Sequence, residues 1–548
     1  FSWDAQRFPV THFSAPEELS CLVGTFRNYV ELAYRLHLQH GFAFRTRLPK
    51  RTLNLAHPKH IYRVLRSHVT NYPKSEDYDF LRPLLGNGIF VSDGDFWVRQ
   101  RRLLSPEFRP GAVSRFLPGL IEVIESLFAE WDSKPDRDIT DDMMRLTLWG
   151  VGGALFHTDF RSEAEQIGHA LAVCLEQGTL LMMSMGMLKS WMPTPGNRRA
   201  QQAERDLNQI VQKLITQTQA GGDGGSMLAR LLQAKDDETG EAMSEMQLVD
   251  EVKSLILAGH ETTSLTLSWA LYLLSYHDQI FAKLKEEAQR VLGKRTPTVE
   301  DIPKLTYSRM ILLETMRLYP PVPTVTRVAR EADSFDGIEV AKHDRVAISI
   351  YATHRHPEFW PNPHAFLPER FAESRAEDLI PYSYLPFLVG RRICLGEHFA
   401  MLEGVLALAM FAARYHFTRH SLEPIETHPI STLRMARRGG WSAGGWLMKK
   451  RGSAAGEGVR GLDPGGSTGR TDARSSALAR DRPVVLVRLR RGGGEAEGIR
   501  RDRFRGRRLL DPQRHRRGTF SHRAHRHAAD HHDCPERSDR ATKPAQPA

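Results

Sequence analysis

Cysteine is scarce, with four residues in 548: Cys21, Cys174, Cys394 and Cys534. They are too few and too scattered for the disulfide framework of a small secreted domain, and they fit a reducing compartment where one cysteine stays a thiol or thiolate. No run approaches the ~18 consecutive apolar residues that a membrane span needs, so none is expected. The start, Phe1-Ser-Trp-Asp4, has neither an initiating Met nor a signal-type apolar stretch. It reads as a soluble, cytoplasmic protein whose first residues are truncated. Internal repeats and Gly/Ser-rich linkers are missing from the first 450 residues, and so is net charge. The overall +11 comes from residues 451–548, which hold 23 basic and 12 acidic side chains, whereas residues 1–450 carry 53 of each sign. A balanced body is not a nucleic-acid binder on charge grounds.

What is present is an ordinary globular mixture, 41% hydrophobic and 26% charged. Residues 1–450 read as one catalytic body, mainly α with small β-sheets. A β-like patch is expected at Phe42–Leu55, helices from Pro58 to Tyr319, a Pro- and aromatic-rich β-and-loop region over Pro320–Leu388, and a core helix at Glu397–Tyr415. Residues 451–548 form a tail with 22 Arg, 13 Gly and 6 His but no Trp, Tyr or Met. So little apolar surface cannot offset the entropy of ordering, and disorder is expected. Three readings of the tail stay open: a basic interaction tail, an inert extension, or out-of-frame translation of GC-rich DNA.

The strongest local signal is Phe387-Leu-Val-Gly390-Arg-Arg392-Ile-Cys394-Leu-Gly396, directly before the helix that starts near Glu397. A cysteine just ahead of a helix N-terminus faces unpaired amides and the positive end of the dipole, which favour a thiolate. Flanking glycines allow a tight turn and the approach of a flat, bulky group. Arg392 can grip a carboxylate with two N–H groups. A thiolate on an iron porphyrin, with an arginine on a propionate, uses all of these features. Alone, such a cysteine could equally be a buried structural one.

The segment resembles the haem-binding loop of the cytochrome P-450 monooxygenases, F-x-x-G-x-R-x-C-x-G, and fills every fixed position. The resemblance implies the cytochrome P-450 fold, a helical domain around a buried haem b (iron protoporphyrin IX) with a smaller β-rich region. It implies Cys394 as the axial ligand of the iron and Phe387, Gly390, Arg392 and Gly396 as its cofactor-binding frame.

Four further motifs follow in the family's order over residues 30–450. A capping box at Ser244-Glu-Met-Gln247 opens a long helical pattern interrupted by Ala258-Gly259-His260-Glu261-Thr262-Thr263. A glycine costs about 1 kcal/mol inside a helix, and a threonine back-bonded to a carbonyl can bend it, so function is expected at this break. The match to A-G-x-E-T-T implies that Thr262 and Glu261 help deliver protons to bound dioxygen and that Gly259 leaves room for it. His260 is expected to face outward. Glu314-Thr-Met-Arg317 places opposite charges on one helix face. With Arg370 of Phe366-Leu-Pro-Glu-Arg370-Phe371, it matches the family's buried structural network behind the haem. Trp97 and Arg101 match W-x-x-x-R and share a helix face toward a propionate, and Arg327 occupies another propionate-binding position. The Met-rich stretch Leu180–Met187 lies where the family places a lid. Met183, Val322 and Val325 are candidates for the substrate pocket, with plain core packing open as the alternative for the methionines. The Pro-rich segment that often opens such domains is absent.

The resemblance implies insertion of one atom of O2 into a small apolar substrate. No flavin or nicotinamide fingerprint and no iron–sulfur cysteine cluster is found, and the 97 residues after Arg451 leave no room for a reductase. A separate ferredoxin or flavodoxin with its reductase is therefore expected. The rivals are a peroxide-driven haem-thiolate peroxygenase, disfavoured by the Glu261–Thr262 pair, and a non-catalytic haem protein with a nucleic-acid-binding tail. Fatty acids, terpenoids, steroids and xenobiotics all suit the apolar pocket.

Overall fold

The computed structural model describes residues 10–450, apart from 14, 48–49, 185–186, 222–224, 422 and 437–444. The tail from 451, with the readings offered for it, lies outside the described residues.

Helices build most of the body. The longest, Glu245–Leu274, starts at the expected capping box: the Ser244 hydroxyl accepts the Gln247 amide at 3.3 Å and the Gln247 side-chain oxygen accepts the Ser244 amide at 2.9 Å. Almost every side chain along it is buried. A helix buried on all sides lies at the centre of a domain and not on its surface. Helix Glu397–Arg414 has the same character, buried without a break from Met401 to Ala412. Helices Ile139–Gly150, Thr306–Leu318 and Asp278–Val291 complete the layer around these two. No helix among the described residues is long and apolar enough to cross a membrane.

The Phe42–Leu55 patch folds as a hairpin, Ala43–Thr46 antiparallel to Thr52–Leu55. Residues 345–349 run parallel to the second of these strands, and 324–328 pair antiparallel at the edge of the same sheet. That register sets Val325 opposite Ile348 and Arg327 opposite Val346. A second hairpin, Glu426–Pro429 against Leu433–Ala436, returns toward the long helix, where the Trp269 indole N–H donates to the Leu433 carbonyl at 3.0 Å. A cavity of about 570 Å³ is enclosed between the middle of the long helix, the cysteine loop, the edge strand and the turn of this hairpin.

Candidate active site

The cysteine loop is shaped by backbone hydrogen bonds and one obligatory glycine. The Cys394 amide donates to the Phe387 carbonyl at 2.8 Å and the Ile393 amide to that of Gly390 at 3.1 Å. Gly390 sits at φ +77°, and a Cβ there would lie 2.3 Å from the Leu65 carbonyl oxygen. Only glycine combines that conformation with so close a backbone approach. Gly396 caps the following helix at φ −86° with open space where a Cβ would be. Cys394, Phe387 and Gly396 all line the cavity. Burial pushes the Cys394 thiol up, against the Gly396 amide and the Arg101 charge that pull it down. A bound metal ion favours the thiolate form of such a sulfur.

Above the loop, cations crowd. The Arg101 guanidinium donates to the Ile393 carbonyl at 2.7 Å. Arg392 packs over the Trp97 indole and pairs with Asp93, the N-cap of helix Gly94–Leu104. Buried Arg327 donates to the Thr326 carbonyl at 2.8 Å. The charge patterning did not single out Lys74, whose ammonium donates to the carbonyls of Ile89, Phe90 and Ser92 at 3.1, 2.7 and 3.0 Å. Burial, then the neighbouring Arg392 and Arg327, bring it down to about 7. Lys74, Trp97, Arg101, Arg327 and Arg392 all line the cavity. Arg327 Nε and Arg392 Nη1 are buried and have no hydrogen-bond partner among the described residues. Buried donors of this kind are costly unless something accepts from them. A porphyrin with two carboxylates meets that need, and these residues fit it.

Across the cavity lies the polar break in the long helix. Thr262 back-bonds to the Ala258 carbonyl at 2.7 Å. The place of a Cβ on Gly259 is taken by Val151 Cγ2 at 2.9 Å, so the glycine permits close packing of the helices while its backbone lines the cavity. His260 does not face outward. It is 6% exposed, and its carbonyl accepts the Thr147 hydroxyl of helix Ile139–Gly150 at 2.8 Å. Burial brings its imidazole down to about 4. Around His260 the long helix is enclosed and leaves no outer face to occupy. Glu261 is turned to the second hairpin, where the Thr432 hydroxyl and Arg434 Nε donate to its Oε1 at 2.7 and 2.8 Å.

Behind the cysteine loop, Arg317 donates to both carboxylate oxygens of Glu314 at 2.7 and 2.8 Å, with both side chains fully buried. It also donates to the carbonyls of His354, Pro363 and Ala365. Arg370 joins at 3.3 Å from Glu314. His354, unmarked by any motif, extends this network to the cysteine loop: its ring Nε2 accepts the Leu385 amide at 2.7 Å. The candidate pocket residues Val322 and Val325 both line the cavity. Met183 ends helix Ala164–Met183, and its side chain lies outside the described residues. Its neighbour Met182 lines the cavity.

A flat, dianionic, metal-bearing macrocycle held through sulfur is what this pocket is built to take, which defines a haem-thiolate protein. The model of the cytochrome P450 family matches residues 22–439. Cyclooctatin synthase of Streptomyces melanosporofaciens is 35% identical over 69% of this chain and 83% of its own length. Cyclooctat-9-en-7-ol 5-monooxygenase of the same organism is 31% identical over 75% and 93%. The crystal structure of the cytochrome P450DA heme domain superposes with a TM-score of 0.73 at 26% identity, covering 81% of this chain and 98% of that one. The chain belongs to the cytochrome P450 family. It is a haem-dependent monooxygenase that inserts one oxygen atom into an apolar small molecule.

Proposed function

We propose that Cys394 ligates the haem iron and that the cavity binds a terpenoid of compact cyclic skeleton, which the enzyme hydroxylates or epoxidises. The observation that carries this reading is that Cys394 lines the same apolar cavity of about 570 Å³ as Gly259 and Thr262. Two relatives whose names refer to cyclooctatin and cyclooctat-9-en-7-ol support the substrate class. Val322, Val325 and Met182 provide apolar wall, and methionine adapts to irregular apolar ligands. Haem supplies dioxygen activation when bound, with the sulfur donating electron density that favours O–O cleavage.

The chain's own groups do the rest. Trp97, Arg101, Arg327, Arg392 and Lys74 hold the two carboxylates of the macrocycle. Thr262, already donating to Ala258, keeps oxygen lone pairs with which to orient a water. Glu261 exchanges protons with that water. Electrons come from a separate ferredoxin or flavodoxin with its reductase, and the protein works in the cytoplasm. The catalytic unit is residues 1–450.

The test is a spectral titration of the holoenzyme with cyclic terpene alcohols, linear fatty acids and steroids. Terpene alcohols should displace the resting-state Soret band at micromolar concentration. A response only to fatty acids or steroids would overturn the substrate class and leave the haem assignment standing.

A further inference from the structure

The acid of the distal groove is held by a part of the chain that also forms the wall of the pocket. Glu261 is buried, with only 4% of its side chain exposed, and two nitrogens of Arg434 lie within 2.8 and 2.7 Å of the same carboxylate oxygen. The Thr432 hydroxyl donates to that oxygen at 2.7 Å. Donation from a guanidinium and a hydroxyl to one oxygen fixes both the charge and the orientation of a carboxylate. Thr432 closes the turn between strands Glu426–Pro429 and Leu433–Ala436, and Pro429, Ile430, Ser431 and Thr432 all line the cavity. The turn is tethered at its flanks: the Tyr29 hydroxyl donates to the Ile430 carbonyl at 2.9 Å and the Leu433 amide to that of Pro321 at 3.0 Å. Whatever sits against Ile430 and Ser431 therefore presses on the segment that carries both partners of Glu261.

We infer that Arg434 and Thr432 are positioning residues for Glu261, so that the hairpin turn contacting the substrate also governs where the groove's acid stands. The inference rests on the role of Glu261 in proton supply proposed above. An occupant that shifts the turn loosens the Thr432 and Arg434 contacts and frees the carboxylate toward Thr262. An empty pocket leaves the acid on the hairpin. Proton supply is thereby tied to substrate occupancy, which limits wasteful reduction of dioxygen when no substrate is bound.

The holoenzyme variants Arg434→Gln, Arg434→Lys, Thr432→Val and Glu261→Gln test this, with cyclooctanol as the probe. Two readouts are needed: peroxide released per NADPH with a surrogate ferredoxin and its reductase, and amide hydrogen exchange across residues 426–436. In Arg434→Gln, exchange at 430–436 should accelerate on the order of tenfold without probe, because losing a charge-assisted hydrogen bond raises the local opening equilibrium. Peroxide release without probe should rise, and the difference between probe-free and probe-bound enzyme should shrink. Arg434→Lys should restore part of both effects. Thr432→Val, a smaller perturbation, should move both readouts in the same direction and guards against misfolding of the arginine variant. If Glu261→Gln is uncoupled while Arg434→Gln and Thr432→Val match the wild type in both readouts, the positioning role is overturned. If Glu261→Gln itself is as tightly coupled as the wild type, the relay role falls and the linkage with it.

Discussion

The guanidinium carbon of Arg392 lies 4.4 Å from the centre of the Trp97 ring. The same side chain pairs with Asp93, and its Nη1 has no hydrogen-bond partner among the described residues. The indole thus orients a cation that lines the cavity. A cation over an indole is worth roughly 0.5–2 kcal/mol, or about two- to thirty-fold in an equilibrium. Trp97→Leu should accelerate haem loss by that factor, read as transfer to excess apomyoglobin. Unchanged transfer would remove Trp97 from the cofactor-holding set.

Arg317 and Glu314 are both fully buried and bound to each other through two hydrogen bonds. Removing one partner leaves an uncompensated charge and costs roughly 3–5 kcal/mol. Arg317→Met should lower the urea midpoint accordingly and reduce haem content on purification. Arg370→Met should cost less, because its contact to Glu314 is longer, at 3.3 Å.

Thr262→Ala deletes the hydroxyl that would orient water in the groove. Positioned proton transfer is worth roughly 10²-fold or more, so product formed per electron should drop and peroxide should rise. Product formation as tightly coupled as in the wild type would end the relay assignment.

Gly390→Ala meets both a left-handed backbone and the Leu65 carbonyl at 2.3 Å. The strain alone costs on the order of 1–3 kcal/mol. The variant should melt at lower temperature and give a smaller red-shifted Soret band in its reduced carbon-monoxide complex.

Glu251 is buried on the long helix, where it accepts the Ile89 amide at 2.9 Å, and burial raises its carboxyl to about 8. Asp250 pushes the same way, while Lys74 and the Ile89 amide oppose. Between the ordinary glutamate range and about 8, the folded state binds a proton that the unfolded state has lost. This group's contribution to stability is therefore greatest at low pH and falls as pH rises from about 5 to 8. Glu251→Gln should flatten the dependence of the urea midpoint on pH across that window. A slope unchanged from the wild type would show that other groups set it.

The architecture was readable because its evidence is local. The capping box, the E-x-x-R spacing and the glycine-framed cysteine loop each span a few neighbouring residues, and each is found where it was expected. The cysteines likewise separate on sequence, since only Cys394 stands in the pattern F-x-x-G-x-R-x-C-x-G ahead of a helical run; the structure adds that Cys174 lies inside helix Ala164–Met183. The basic rim was read in part. Arg101, Arg327 and Arg392 sit in recognisable motifs, but Lys74 follows a proline in an unpatterned loop. It becomes a site residue only because it is buried beside Arg327, far along the chain.

The chain order of motifs determined the family and the class of reaction, and singled out the sulfur proposed here to bind the metal, since those depend on which residue types stand a few positions apart. Tertiary structure alone decided that His260 is enclosed, that Gly259 meets Val151, that His354 connects the Glu314 network to the cysteine loop, and that Glu261 answers to Arg434. Each of those pairings joins segments distant in sequence. The partner of a buried polar group is chosen by which elements pack together, and packing is a property of the whole fold.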